Sequence, residues 1–284
     1  MNRRKELILG AARRALEYRN RLKLADDEPA SPIDNAAKVG LQVWLRDHKT
    51  YDGGYSKPLV IISSRRPLGR MSFTCAHEIG HHAFQHGVQL EEIFEKKEQS
   101  EDELVAHSFA AHFLMPRKLV LRAFKVRGLD VKTPTVEGAF RVACWLGVGY
   151  ETLLNHMYYQ LDFISRAQLD ALNNWREPKQ IKSQIAGVDT SHEDVHYVDE
   201  HWTGRPLDCR IDDFVCSPLT LTVTLERGRL EPVGRSDFGL VYRASTVGED
   251  SAQSENGWGV NVRVSKRGFT GRAEFRHEEE DPDE

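Results

Sequence analysis

Residues 72–87 read SFTCAHEIGHHAFQHG and hold four of the chain's twelve histidines. At the centre lies His77-Glu78-Ile79-Gly80-His81, an HExxH pattern. On an α-helix, residues four apart share a face, one turn above the other. The imidazoles of His77 and His81 can therefore converge on one Zn²⁺. Glu78 is rotated off that face, where it reaches beside the metal as a general base rather than as a ligand. With twelve histidines in 284 residues, chance placement gives about 0.04 such matches per chain. The pattern predicts a catalytic metal site rather than a polar surface helix. His82 and His86 form a second pair four apart, about 100° round the helix, and are read as an exposed polar face.

Outward from this helix, the chain alternates helix and strand. Leu7, Ala11, Ala15, Tyr18 and Leu22 predict an amphipathic helix over 3–23 with a solvated basic face. SPIDNAAKVG (31–40) reads as a second helix with Ser31 at the N-cap, Pro32 in the first turn and Gly40 as its stop. LQVWLRDH (41–48) alternates, with Leu41, Val43 and Leu45 on one face, and LVIIS (59–63) reads as a buried strand. YDGGYS (51–56) has turn composition. The metal helix is expected to run to Gly87, followed by a charged loop over 91–100 and a helix from Ser100 to Pro116. Helices interrupted at Gly128, Thr133-Pro134, Gly147 and Ser165 fill 117–176, and glycine-punctuated alternating stretches follow 188.

The third ligand separates the zincin classes. The metzincin pattern HExxHxxGxxH fails, because Phe84 stands at its glycine and Gly87 at its third histidine. Glu103 on the downstream helix is a candidate. Ser100-x-x-Glu103 is equally a capping box, and spacing leaves both readings open.

The run MSFTCAHEIGHH (71–82), followed by DELVAHSFAAHFLMP (102–116), resembles the ImmA/IrrE family of zinc metallopeptidases. The likeness is specific over 70–116 and loose over 1–160. It implies His77, His81 and Glu103 as ligands of Zn²⁺, Glu78 as the catalytic base, and Ala106, Phe109, Ala110 and Met115-Pro116 as framework. His107 stands where the family has Asn or Asp, and the resemblance gives it the role of orienting a ligand histidine from outside the coordination sphere. The oxyanion donor is left open among Tyr150, Tyr158, His112 and His156. The sheet edge near YDGGYSK is expected to pair with an extended substrate backbone.

The expected fold class is α+β: a zincin-like metallopeptidase domain over 1–117, a helical, helix-turn-helix-like segment over 118–187, a β-rich regulatory or sensor domain over 188–276, and an acidic tail over 277–284. The resemblance further implies cleavage of a helix-turn-helix transcriptional repressor, releasing a stress, DNA-damage or mobile-element response. The rival reading is a non-proteolytic regulator that binds DNA or a repressor and uses zinc structurally. VACWLGVGYETLLNHM (142–157) does look like a helix-turn-helix, yet no Lys or Arg lies between Arg141 and Arg166. DNA affinity draws on neutralised phosphates, so direct DNA binding is not expected.

The net charge of −4 gives no overall pull toward nucleic acid or membrane. No segment reaches the roughly 20 apolar residues of a membrane span, and the N-terminus lacks a signal-peptide pattern. Four cysteines without a CxxC pair fit free thiols in a reducing cytoplasm. Cys209 and Cys216 are read as buried and inert.

Overall fold

The computed structural model describes residues 3–87, 89–92, 100–174, 177–190, 193–202, 204–219, 221–223, 228–254 and 257–278. Helix α1 spans Arg3–Arg21, and α2 spans Pro32–Asn35 before tightening into a 3₁₀ turn over Ala36–Val39. The predicted 31–40 helix is thus shorter and mixed, and the Ser31 hydroxyl bonds the Asp34 carboxylate instead of capping the backbone. Strands β1 (Gln42–Arg46), β2 (Tyr51–Ser56) and β3 (Leu59–Ser63) precede α3 (Leu68–Ala83), β4 (Gln89–Glu92) and α4 (Glu101–Leu114). Four more helices follow: α5 (Arg117–Val126), α6 (Val136–Leu146), α7 (Tyr150–Tyr159) and α8 (Arg166–Leu172), with α9 (Glu177–Ala186) closing the helical part. Their caps lie where turn residues were read. Thr135 accepts from Gly138 N, Ser165 forms a full capping box with Gln168, and Gly147 takes φ +70° between α6 and α7.

YDGGYS is a strand, not a turn. β2 pairs antiparallel with β3, register Gly53↔Ile62 to Ser56↔Leu59, and its other side takes β4. The reversal falls instead at Lys57-Pro58, a cis peptide. Gly53 is there because β2 runs against α3: a Cβ at this position would lie 2.3 Å from Thr74 Cγ2. With β2 paired on both sides, the edge of the sheet on that flank among the described residues is β4, which starts two residues before the stretch read as a charged loop and runs into it; residues 93–99 of that loop lie outside the described residues. α3 packs between this sheet and α4, and α1 lies on the far side of α4.

After α9 come β5 (Val195–Tyr197), β6 (Leu207–Arg210), β7 (Phe214–Ser217), β8 (Leu221–Val223), β9 (Leu230–Ser236), β10 (Gly239–Ala244), β11 (Gly248–Ser254), β12 (Gly259–Ser265) and β13 (Gly271–Arg272). They build two sheets, ordered β5-β7-β10-β9 and β6-β12-β11-β8. β13 leaves this region altogether. It pairs antiparallel with β1, Trp44↔Arg272 and Leu45↔Gly271, and extends the first sheet to β13-β1-β3-β2-β4. Position 188 is therefore a change of secondary structure and not a break in contacts. At the supposed start of the acidic tail, His277 is buried and lies 3.3 Å from Asp208, while 279–284 fall outside the described residues.

The face of α1 expected to be solvated contains one fully buried cation. Arg19 donates to Phe113 O at 2.8 Å, at the end of α4, and to the carbonyls of Ala25 and Glu28. Those carbonyls end a helix and line a turn, and Ala25 O also accepts from Glu28 N at 3.2 Å. Arg19→Met keeps the stem and removes the donor that all three share. It should lower the unfolding free energy by about 2–4 kcal/mol, read from denaturant midpoints at constant m.

Candidate metal centre

α3 brings His77 and His81 to one face, as the four-residue spacing requires, and both are buried. Their Nε2 atoms lie 2.9 Å apart. Glu103 arrives from α4, with Oε2 3.2 Å from His77 Nε2 and Oε1 3.4 Å from His81 Nε2. A tetrahedral zinc with bonds of about 2.0–2.1 Å separates its donors by about 3.3 Å. The three candidate ligand atoms, all within 4.8 Å of one another, fit that ion. The hydrogen bond with His77 holds the Glu103 carboxyl below its usual range; burial opposes this, and the neighbouring histidines add to it.

Glu103 reaches the histidines because two helices cross closely. A Cβ at Gly80 would lie 3.1 Å from both Cα and O of Ala106, so the glycine inside HExxH and the alanine one turn past Glu103 set the separation of α3 and α4. The capping-box alternative is half present. The Ser100 hydroxyl accepts from Glu103 N at 3.2 Å, while the Glu103 carboxylate turns to the histidines. One residue caps with its backbone and faces the site with its side chain.

Glu78 is fully buried between α3 and β2, and its Oε1 would be 3.0 Å from a Cβ at Gly53. Room for this carboxylate therefore depends on a strand residue without a side chain. Gly53→Ala should displace Thr74 and Glu78, cost about 1–3 kcal/mol of stability, and reduce any Glu78-dependent turnover. Thermal melting and a turnover assay on the same preparation check both effects.

His107 is exposed on the same side of α4, with its ring 6.5 Å from that of His77 and 5.0 Å from that of Phe73. Three of the four oxyanion candidates are hydrogen-bonded elsewhere, two of them to backbone carbonyls. Tyr150 donates its hydroxyl to Leu172 O at 3.0 Å, His112 Nε2 meets Gln160 Oε1 at 3.1 Å, and His156 Nε2 donates to Met115 O at 2.9 Å. Burial drives the His156 pKa down to about 3, so that ring is neutral. Tyr158 packs its ring against Tyr159, centroids 4.6 Å apart.

Sequence reading missed His86. α3 stops at Ala83, and the chain reverses through Gln85 at φ +59°. His86 folds back until its Nδ1 is 2.9 Å from His81 Nδ1. His82 goes the other way, its Nδ1 3.0 Å from the Tyr55 hydroxyl. The two are not a pair on one helical face, because the helix ends between them.

His77 and Glu103 line a cleft of about 1920 Å³, while His81 is fully buried behind them. One wall carries His77, Glu103 and His107, and another carries His196, Arg205 and Arg210 from the β-rich part. α7 follows α6 across the Gly147 turn, packs against it, and buries Tyr150, Leu153, Leu154, His156 and Met157. Cys209 and Cys216 are buried, and burial pushes both thiols up, consistent with inert side chains. No helix among the described residues is long and apolar enough to cross a membrane.

No curated protein matches the chain. Among solved structures, a Mycobacterium tuberculosis transcriptional regulator is similar at 16% identity and a TM-score of 0.34, over 54% of this chain and 46% of that one. This chain thus spans less than half the length of that protein. Residues 36–158 match the family model Peptidase_M78, described as the IrrE N-terminal-like domain. That match takes in His77, Glu78, His81, Glu103 and His107, and over 36–158 the chain is therefore an IrrE N-terminal-like domain of the ImmA/IrrE, or Peptidase_M78, family.

Proposed function

We propose that the chain is a zinc-dependent endopeptidase of the cytoplasm that cleaves a helix-turn-helix transcriptional repressor. The observation that carries this reading is the convergence of His77, His81 and Glu103 donor atoms within 4.8 Å, with the buried Glu78 next in the helix. A purely structural zinc site needs no adjacent base and closes its fourth position with another protein ligand. Here three candidate donors come together, and two of them, His77 and Glu103, line a cleft.

When bound, zinc supplies Lewis-acid polarisation of a scissile carbonyl and activates water at neutral pH. The chain's own residues do the rest. The Glu78 carboxylate takes the proton from the attacking water and passes it to the leaving amine. His107 stands beside His77 on the cleft wall, flanking both the ligand and an incoming peptide. The free edge of β4 offers the backbone groups to which an extended peptide can add as a strand. Direct DNA binding is not part of the proposal, because α7 turns its apolar side inward and 142–165 contain no Lys or Arg.

The test is to incubate the full chain, loaded with one equivalent of zinc, with helix-turn-helix repressors and to map products by mass spectrometry. A single internal cut in one of them, abolished by chelation, is expected. A zinc-loaded chain that cuts none of them would sink the substrate assignment, and failure to bind zinc would sink the enzyme reading. Glu103→Ala should lower zinc content well below one per chain by elemental analysis; full retention would remove Glu103 from the ligand set.

A further inference from the structure

We infer that His86 and Asp102 form an outer relay that fixes the tautomer and aim of His81 toward the metal. The inference rests on the metal reading above. His81 faces the site with Nε2, 3.4 Å from Glu103 Oε1. A neutral imidazole that ligates through Nε2 carries its proton on Nδ1. His81 Nδ1 lies 2.9 Å from His86 Nδ1. The shared contact holds one proton, so His86 accepts on Nδ1 and its own proton sits on Nε2. That Nε2 lies 3.3 Å from Asp102 Oδ1, a carboxylate that can only accept when ionised. Of the tautomers open to two neutral rings, this one alone sets an N–H toward both His86 Nδ1 and the Asp102 carboxylate and leaves His81 Nε2 bare for the metal site.

The backbone fixes the relay in place. His86 N donates to His81 O at 3.0 Å across the reversal at Gln85. Phe84 stacks on the far side of the His86 ring, centroids 5.8 Å apart and planes at 26°. Asp102 lies in the first turn of α4, one residue before Glu103. A single turn of α4 therefore supplies both a candidate ligand and the acceptor that orients another. Outer partners of this kind raise ligand basicity and fix ring orientation. His86 and Asp102 are positioning residues, and neither is placed among the ligands.

The experiment measures zinc dissociation constants by chelator competition on the full chain, together with the melting temperature of the metal-free protein. His86→Ala is expected to weaken zinc by about 10–100-fold with little change in metal-free melting. Asp102→Ala should weaken it less, since that side chain is 58% exposed. His86→Gln keeps an acceptor and a donor and should recover most of the loss. Zinc affinity in His86→Ala within twofold of the wild type would overturn the inference, as would an equal loss in His86→Gln. Because no substrate enters the assay, a chain that binds zinc with this pattern yet cleaves nothing would count against the proposed function and leave the relay standing.

Discussion

Glu78→Gln should reduce peptide cleavage by about 10²–10⁴-fold, the usual contribution of a positioned general base, while zinc content stays at the wild-type value. The substitution changes one atom type and almost no volume. It removes the proton acceptor and leaves the donor set of His77, His81 and Glu103 untouched. Stability gives a second, independent sign. Glu78 is fully buried, and an ionised carboxylate in that position costs more to bury than an amide. The melting temperature should therefore stay level or rise as activity falls. A general base that costs stability and supplies rate gives that opposite pair of changes, whereas a packing residue would lose both together. Cleavage within tenfold of the wild type would show that Glu78 does not move the proton. Loss of zinc would show that it is a ligand.

How much of this site the sequence carried depends on the range of the interaction. His77, Glu78 and His81 were legible because the spacing of four is a local property of one helix. β1 and β3 were legible because Leu41, Val43, Leu45, Val60 and Ile62 are apolar and buried. Glu103 needed the resemblance as well, since Ser100-x-x-Glu103 meets the local rule for a cap and the structure has that cap bond too. β2 was misread because Gly53 and Gly54 are turn residues by composition. Only the approach of α3, which comes from elsewhere in the chain, explains Gly53 in a strand there. His86 was misplaced because its role follows from a reversal at Gln85, a residue type that seldom marks a helix stop. Arg19 looked like any other cation on a basic helix, and its acceptors lie in a turn and at the end of α4. β13 has no local signature at all: two residues pair with a strand some 226 positions earlier.

Ending the chain after Ala186 should abolish stable zinc binding and lower the melting temperature by more than about 10 °C, if the fragment folds at all. The truncation removes β13 and exposes the Trp44 edge of the first sheet. It also removes what holds the start of the metal helix. The N-cap of α3 is Pro67, which offers no side-chain acceptor. Asp194 takes over that task from the far end of the sequence, with Oδ2 accepting from Leu68 N at 3.1 Å. Arg210 donates to Asp194 Oδ2 at 2.8 Å and to Arg66 O at 3.0 Å, fixing the loop that leads into α3. On the other side Arg263 and Arg276 each bond the Asp34 carboxylate of α2 at 2.8 Å. Burial alone would raise the pKa of Asp34, and those two guanidinium groups hold it below its usual range. The truncation also strips Asp199 from the buried Arg127 guanidinium, 2.8 Å away in the full chain, and removing one side of a buried pair typically costs about 3–5 kcal/mol. With the lost strand pairing and loop contacts, that is a large share of the stability of an ordinary domain. A truncated protein without activity would therefore say nothing about sensing. A regulatory role for the β-rich part has to be tested by Arg210→Met in the full chain. That change frees the Ser64–Pro67 loop while leaving β13 in its sheet. If the β-rich part acts on the site through this contact, zinc affinity should fall several-fold more than the loss of stability accounts for. A truncated chain that binds zinc with wild-type affinity and melts within a few degrees of the full chain would show that the first sheet and α3 stand without the β-rich part.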